Sequence, residues 1–359
     1  MHSFVFLFLL ILVFTKVSQC TLHHIFVGTV NGTSLYTLEF NDIARSLEMV
    51  FNSSGAGAHP ILAITRNKLW AFGSRSLDGT ISRYGNTTSN FKSIQLLAQT
   101  ERPGCIFGAA SSGTCSTIFA LSPSGFQTLR SDAVHGDIRS IAFSPNQRHL
   151  YALDIHTSLL LNYYISDAPS LQDLLDVDVL PELSGTIKVI SHPKLHKLYL
   201  VAQNTNELVT VPMLYNDRRD IAVNLTHHEV LSKNDTYIHF FTSSIAISSS
   251  ASYLWALSQS SNNNNIITVY PLNTTTGDIV DEPLWFNWTP RGGKAGGSFQ
   301  TSFIAPTPFE SDFVAVTSFP AGSVEILGIG GNRMHGIQSL GSVDASVDEG
   351  CCGEAAWFD

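Results

Sequence analysis

The loop of residues 291–298 carries the most distinctive grouping of reactive side chains in this sequence. Arg291 and Lys294 lie there among four glycines. Such a loop can bind an anion through its two cations, or it can cover the mouth of a cavity. It can equally be a flexible connection between two strands. We keep Arg291 and Lys294 as candidate substrate-binding residues.

Motifs of the common reaction centres are absent from the sequence. It contains no Gly-x-Ser-x-Gly nucleophile motif, no Walker phosphate loop and no His-Glu-x-x-His pair. Histidines occur as the doublets His23–His24 and His227–His228. Adjacent residues of a strand point to opposite faces, so a doublet offers one metal ligand at a time. We therefore expect a protein that uses neither a metal nor a cofactor.

The composition limits the class of partner. The chain has 359 residues, with 20 Lys+Arg against 29 Asp+Glu, a formal net charge of -9 and only 14% charged residues. Nucleic-acid binding needs clustered basic side chains, and none are present. Ser, Thr, Asn and Gly supply the polarity instead, as is common in secreted β-proteins. The 44% hydrophobic content can bury a large core, which excludes a disordered chain.

The first twenty residues have the pattern of a signal peptide. Residues 4–14 form an apolar run of 11 residues, which is too short to span a bilayer. The small residues Ser18 and Cys20 suit cleavage before Thr21. We predict a signal peptide over 1–20 and a mature chain over 21–359, which is secreted and either extracellular or bound to the cell wall. No second long apolar segment predicts a membrane span.

Sequons and cysteines support export. Glycans would solubilise a surface poor in charge, and the seven Asn-x-Ser/Thr sequons begin at Asn31, Asn52, Asn86, Asn224, Asn234, Asn273 and Asn287. Four cysteines follow residue 20. A disulfide between Cys105 and Cys115 is expected in an oxidising compartment. The adjacent Cys351 and Cys352 either bond to each other or bridge elsewhere.

A repeated β-unit occupies the rest of the chain. In residues 138–154 and 187–203, a strand, a tight turn with proline and a second strand follow one another. The aromatic residues Tyr151 and Tyr199 both follow the proline by six positions and lie 48 residues apart. Weaker copies of the unit occur at 244–258, 303–316 and 61–72.

The repeat predicts the architecture. A unit of this kind cannot bury both of its faces alone, so neighbouring units must stack radially. Dividing the 339 residues after the signal peptide by the 48-residue spacing gives about seven units. We predict an all-β, seven-bladed β-propeller over 21–359, closed by strands at 25–28 and 355–358. Two β-sandwich domains are the alternative.

Segments along nearly the whole mature chain resemble the fungal carboxymuconate-cyclising enzymes. They are the two repeat units at 138–154 and 187–203, and the shorter segments His23–Thr29, Gly296–Gly297, Ser323–Leu327 and Ala356–Asp359. The resemblance implies a seven-bladed lactonase-like propeller. It also implies a metal-independent cyclisation of 3-carboxy-cis,cis-muconate to its lactone.

The resemblance further implies two sets of positions in the central channel. Six residues before the blade proline, where the family has His, Arg and His, this chain has Arg139, Ile187 and Gln300. After the second strand, where the family has an acid, Glu and Arg, it has Asp154, Gln203 and Gln259. A tricarboxylate needs a cationic pocket and a proton donor. These replacements predict a channel that has lost most of its charge.

We therefore expect a secreted, N-glycosylated, monomeric propeller whose cyclase site is weakened or lost. Its role would be that of a surface or binding protein, with an extracellular protein or a polysaccharide as its partner. The alternative is an active extracellular cyclase or lactonase that acts on a small carboxylate or lactone. Its candidate catalytic residues are Arg139, Asp154, Gln203 and Gln259, and its candidate substrate-binding residues are Gln300, Arg291 and Lys294.

Overall fold

A computed structural model gives the structure of the chain. It describes residues 22–30, 32–54, 61–64, 71–74, 81–83, 93–98, 106–112, 115–122, 125–132, 138–155, 157–165, 172–179, 185–203, 205–216, 219–222, 224–231, 240–260, 264–291, 301–309, 312–330, 336–345 and 350–358. Regular secondary structure in these ranges is β-strand. No helix within them has the length and apolarity needed to cross a membrane.

The strands follow the chain as short segments of three to ten residues. The first ten are β1 (Leu22–Thr29), β2 (Ser34–Asn41), β3 (Ser46–Ser54), β4 (Leu62–Ile64), β5 (Ala71–Ser74), β6 (Ile81–Arg83), β7 (Ser93–Ala98), β8 (Ile106–Ser112), β9 (Cys115–Ser122) and β10 (Gly125–Asp132). The next nine are β11 (Ile138–Phe143), β12 (His149–Asp154), β13 (Leu159–Ile165), β14 (Gln172–Val179), β15 (Thr186–Ser191), β16 (Lys197–Ala202), β17 (Glu207–Asn216), β18 (Arg219–Ala222) and β19 (Thr226–Glu229). The last nine are β20 (Phe240–Ile247), β21 (Tyr253–Ser260), β22 (Asn265–Pro271), β23 (Leu284–Trp288), β24 (Thr301–Pro306), β25 (Phe313–Phe319), β26 (Ser323–Ile329), β27 (Ile337–Asp344) and β28 (Cys351–Trp357).

In the described residues these strands form seven antiparallel sheets. Six sheets use strands that are consecutive in the chain: β4–β6, β7–β10, β11–β14, β15–β18 with β19 added on β17, β20–β23 and β24–β27. The remaining sheet combines both ends of the chain in the order β28-β1-β2-β3. Ile25 lies opposite Trp357 in the pairing of β1 with β28.

The repeated sequence unit forms the first two strands of a sheet. Residues 138–154 contain the hairpin of β11 and β12, and residues 187–203 contain most of the hairpin of β15 and β16. The weaker copies contribute to the pairs β20–β21, β24–β25 and β4–β5.

A buried polar side chain stabilises the turn of several of these hairpins. His192 Nδ1 accepts hydrogen bonds from the backbone N–H groups of Lys194 and Leu195, at 3.1 and 3.0 Å. At the equivalent position of the next hairpin, Ser248 Oγ accepts from the N–H of Tyr253 at 3.1 Å. These bonds satisfy turn amides that would otherwise lie near the core without a partner.

Both faces of a sheet are buried, because successive residues of each strand pack on opposite sides. On β16, Leu198 and Leu200 pack against the sheet that precedes it, in a cluster with Tyr151. Tyr199 packs on the other face, in a cluster with Leu254 of the sheet that follows. The sheet of β15–β18 therefore shares one core with the sheet before it and another with the sheet after it.

The first strands of neighbouring sheets lie side by side. We call these seven strands the inner strands: β4, β7, β11, β15, β20, β24 and β28. Each contacts the next in this order, and β28 contacts β4. This arrangement places the inner strands around one common region.

Polar side chains connect several of the neighbouring sheets. Between β11 and β15, Ser140 Oγ accepts from the Val189 N–H at 2.9 Å and lies 3.2 Å from the Val189 carbonyl oxygen. Between β25 and β28, Thr317 Oγ1 donates to the Gly353 carbonyl at 2.6 Å. We call these contacts seam bonds. Because they are buried, each satisfies a backbone group that water cannot reach.

The seam bond of Ser140 gives the first prediction. Ser140→Ala removes the acceptor of the buried Val189 N–H, so we expect the free energy of unfolding to fall by about 1–3 kcal/mol. The control is Ser243→Ala, because Ser243 Oγ bonds to Leu257 within its own sheet at 3.4 Å. Urea unfolding followed by tryptophan fluorescence measures both variants. Equal losses for the two would contradict a specific role for the bond between the sheets.

Candidate functional site

A cavity of about 370 Å³ lies between five of the inner strands. We call it the inner cavity. Apolar residues form much of its wall, among them Ile190 and Ile247 with partly exposed side chains, and serines interrupt them. Among the described residues that line it, Lys188 and Glu354 are the ones with ionisable side chains. One ammonium and one carboxyl group are therefore the charged groups among the described residues of this cavity.

Glu354 lies on β28 and is half-buried. Its Oε2 accepts a hydrogen bond from the Leu62 N–H of β4 at 3.3 Å, so this side chain also makes a seam bond. Burial raises the pKa of Glu354 above its ordinary value, because the charged form loses its hydration. The Lys188 ammonium and the Leu62 N–H act in the opposite direction and lower this pKa. The net direction of the pKa shift is upward.

The position of Lys188 depends on a β-bulge. The pairing of β15 with β16 shifts between Thr186 and Lys188, so that Ile187 has no partner residue. Ile187 packs against the apolar cluster that contains Tyr199, whereas Lys188 lines the inner cavity. The bulge thus accompanies the change from Ile187, which packs in the core, to Lys188, which lines the cavity.

The same irregularity recurs in two other inner strands. In β11 the pairing shifts between Ile138 and Ser140, which makes Arg139 the unpaired residue. In β20 the unpaired residue is Ser243. Arg139 and Ile187, both predicted at channel positions, therefore occupy equivalent bulges of neighbouring sheets. The side chain of Arg139 lies outside the described part of the structure, as does the whole of Gln300.

The three residues predicted after the second strand lie at the same end of their hairpins, with Gln203 and Gln259 at equivalent positions and Asp154 one residue earlier. Asp154 is the last residue of β12, is fully buried and has its Oδ1 3.4 Å from the Thr157 N–H. Gln203 directly follows β16, where its backbone N–H donates to the Gly185 carbonyl at 3.0 Å. Both residues thus lie at the same end of the hairpins that the two repeat units form. Neither residue is among those that line the inner cavity.

Gln259 lies near the end of β21 and is buried. Its Nε2 donates to the Ser302 carbonyl of the neighbouring inner strand β24 at 3.4 Å. The amide thus connects two sheets, and this contact gives the side chain a structural role. Gln259 is not among the cavity-lining residues either.

The remaining predicted positions are distributed as follows. Arg291 is exposed just beyond β23, and Lys294 lies outside the described residues. Cys351 and Cys352 form a disulfide with each other and are buried, which resolves their pairing. Cys105 lies outside the described residues, so its bond to Cys115 stays a prediction. Within the described ranges, no three His, Cys, Asp or Glu side chains come together to hold a metal ion.

Sequence reasoning did not identify Lys188 or Glu354. The C-terminal strand was expected to begin at residue 355, whereas β28 begins at Cys351 and includes Glu354. A single acid within the apolar segment 351–358 was the available signal. For Lys188, the bulge moves the cavity-lining position by one residue from the predicted Ile187, and no sequence pattern marks that bulge.

The raised pKa of Glu354 gives the second prediction. A carboxyl whose pKa is higher in the folded than in the unfolded chain lowers the free energy of unfolding once the pH exceeds its unfolded pKa. This loss of stability is complete above its folded pKa. Glu354→Gln keeps an oxygen acceptor for Leu62 and removes the charge. We expect a higher melting temperature than wild type at pH 7.5, by about 2 °C, and no gain at pH 4.

The matched control for this prediction is Glu48→Gln, because Glu48 is an exposed glutamate on β3. Its substitution should leave the melting temperature unchanged at both values of pH. Scanning calorimetry of the two variants and wild type measures the effect. A Glu354→Gln variant that is less stable than wild type at pH 7.5 would contradict the raised pKa.

Comparison with known proteins identifies the fold. No protein-family description and no curated protein sequence matches the chain. Solved structures do match. A periplasmic gluconolactonase from Pseudomonas aeruginosa, PpgL, has a TM-score of 0.70 at 14% identity, over 94% of this chain and 99% of its own. A protein from Lactobacillus plantarum has a TM-score of 0.71 at 13% identity, over 94% of this chain and 100% of its own.

A β-propeller domain also matches, that of Cps50 (Swd1) from Myceliophteria thermophila. Its TM-score is 0.53 at 11% identity, over 84% of this chain and 95% of its own. At such low identities the likeness concerns the fold alone. The all-β chain, with its several four-stranded antiparallel sheets, therefore has the β-propeller fold that these structures share.

Proposed function

We propose that the protein is a secreted, seven-bladed propeller of the lactonase-like type whose inner cavity binds a small ligand with a single carboxylate. The seven sheets supply the blades, and the pairing of β28 with β1 closes the ring. The cyclic order of contacts between inner strands supports this assignment. The inner cavity is then the central channel of the propeller.

The presence of the Lys188 ammonium in a largely apolar cavity indicates the class of ligand. The ammonium of Lys188 can hold one carboxylate. Ile190 and Ile247, which line the cavity and are partly exposed, can contact an apolar ligand body. A volume of about 370 Å³ is within the range of small-molecule sites. A second or third carboxylate would have to lose its hydration without a cation among the described cavity residues, which costs binding free energy.

Two features of the surface support export. Asn52, Asn224, Asn273 and Asn287, which are the sequon asparagines in the described ranges, are all exposed and so open to glycosylation. The Cys351–Cys352 disulfide is of a kind that persists in oxidising compartments. We therefore propose a role outside the cell or in the cell wall, as a binding protein.

A matched ligand series tests the binding function. Hexa-2,4-dienoate, cis,cis-muconate and 3-carboxy-cis,cis-muconate carry one, two and three carboxylates on the same six-carbon diene. We expect the monocarboxylate to bind most tightly by calorimetry. Lys188→Met should weaken it about tenfold, equivalent to roughly 1.4 kcal/mol. The control Lys194→Met removes an exposed lysine near the end of the same hairpin and should have no effect. Tightest binding of the tricarboxylate would contradict the proposal.

A second function is favoured by the raised pKa of Glu354. A carboxyl whose pKa lies above its ordinary value, with the Lys188 ammonium in the same cavity, can serve as a general acid or base. In lactone formation it would deliver a proton to the carbon next to a carboxylate. In lactone hydrolysis its ionised form would accept a proton from the attacking water.

Turnover distinguishes the two functions. Cyclisation lowers the ultraviolet absorbance of 3-carboxy-cis,cis-muconate because the conjugated diene is lost, and hydrolysis of a lactone releases acid. For a binding protein we expect neither signal above the buffer rate. Turnover that falls at least about 100-fold in Glu354→Gln, the usual size of a general acid-base effect, would replace the binding function by an enzymatic one. Arg139→Ala tests this candidate catalytic residue in the same assays.

A further inference from the structure

Trp285 is a large apolar side chain that the fold leaves in solvent. It lies on β23, and 43% of its surface is exposed. Its indole Nε1 donates to the Val230 carbonyl at 3.2 Å. The same carbonyl accepts from Thr268 Oγ1 at 2.7 Å, which holds this acceptor in place. The hydrogen bond fixes one edge of the ring while much of its surface remains open.

The exposed ring belongs to the wall of a surface groove of about 870 Å³. His228, Tyr270, Val280 and Glu282 contribute to the same groove. Tyr270 is buried and rigid, because its hydroxyl donates to the Glu229 carbonyl at 2.6 Å. The groove therefore combines the fixed indole of Trp285, which we call the aromatic platform, with hydrogen-bonding side chains. Its volume is that of a site for one or two sugar rings.

A sequon lies on the same strand and the same face as this platform. Along β23 the burial alternates, with Trp285 and Asn287 exposed and Trp288 buried. Leu284 and Phe286 of the opposite face pack in the apolar cluster that contains Trp288. Residues two apart in a strand are about 7 Å apart on one face. Asn287 and Thr289, the ends of the sequon, are both exposed.

We propose that Asn287 carries an N-linked glycan whose first N-acetylglucosamine stacks on Trp285 and lies over the groove. This inference goes beyond the binding function and shares with it only the assumption of export. The C–H bonds on one face of the pyranose meet the electron-rich face of the indole. Hydrophobic area of both rings is removed from water in the contact.

The covalent step is ordinary N-glycosylation. The Asn287 amide nitrogen forms a bond to the anomeric carbon of the sugar and loses one proton. The bond from that carbon to the oxygen of a lipid diphosphate breaks, and the diphosphate leaves with the electron pair. The co-reactant is thus a lipid-linked oligosaccharide, supplied by the secreting cell.

The other described sequons lack this arrangement. Two residues before Asn52, Asn224 and Asn273 the chain has Val50, Ala222 and Pro271. Asn287 is therefore the one sequon within the described ranges that has an aromatic residue at this spacing. The comparison supplies a control from the same molecule.

The test is a double-mutant cycle in a secreting yeast, with the chain from Thr21 placed behind the host's own leader. Thr289→Ala removes the Asn287 sequon and keeps the asparagine. In the wild-type background, Trp285→Ala should lower the melting temperature by about 2 °C more than it does in the Thr289→Ala background. The extra shift should persist after an endoglycosidase trims the glycan to its first sugar. Peptide mass spectrometry should find that sugar on Asn287.

The matched control removes the Asn224 sequon by Thr226→Ala, since Thr226 is also an exposed sequon threonine. Its effect and that of Trp285→Ala should add. An unmodified Asn287, or a Trp285→Ala effect that is the same with and without the sequon, would overturn the proposal. Binding of free chitin oligosaccharides that depends on Trp285, together with additive effects of Trp285→Ala and Thr289→Ala, would also overturn it. The groove would then bind an external sugar. Ligand binding to the inner cavity is measured separately, so failure of either proposal is recognisable.

Discussion

The seam bonds between neighbouring sheets are the interaction on which the rest of the structure depends. No sheet of this chain can bury both faces alone, and the apolar contacts between sheets have no direction of their own. Ser140, Gln259, Thr317 and Glu354 each join one sheet to the backbone of another. These bonds fix how the inner strands lie relative to one another. They thereby determine which side chains surround the inner cavity.

Glu354 connects this structural role to the proposed function. The same carboxyl accepts the Leu62 N–H and faces the inner cavity. A carboxyl held by a backbone amide cannot rotate freely, so its position next to a ligand is fixed by the fold. Its raised pKa follows from the enclosure that the seam creates. Lys188 of β15 supplies the opposite charge in the same cavity. The sequence has few charged residues, and the described residues of the cavity likewise include only one basic and one acidic group.

The sequence predicts the repeat well because the repeat is encoded locally. The spacing of proline and tyrosine in residues 138–154 and 187–203 fixes a hairpin, and the structure has hairpins at both places. The structure also has Gln203 and Gln259 at equivalent strand ends, with Asp154 one residue earlier in its own hairpin. The cavity residues could not be predicted in the same way. One unpaired residue, Ile187, reverses the faces of β15 from that point, and such a bulge depends on contacts with other sheets. Glu354 was missed because the beginning of β28 depends on its pairing with β1 across the whole chain.

The central claim is that Lys188 holds one carboxylate in the inner cavity, and a crystal structure with hexa-2,4-dienoate tests it most directly. We expect the ligand carboxylate within hydrogen-bonding distance of Lys188 Nζ, with the diene against Ile190 and Ile247. An inner cavity that contains only water at saturating ligand, or a carboxylate bound away from Lys188, would show that Lys188 does not hold the ligand.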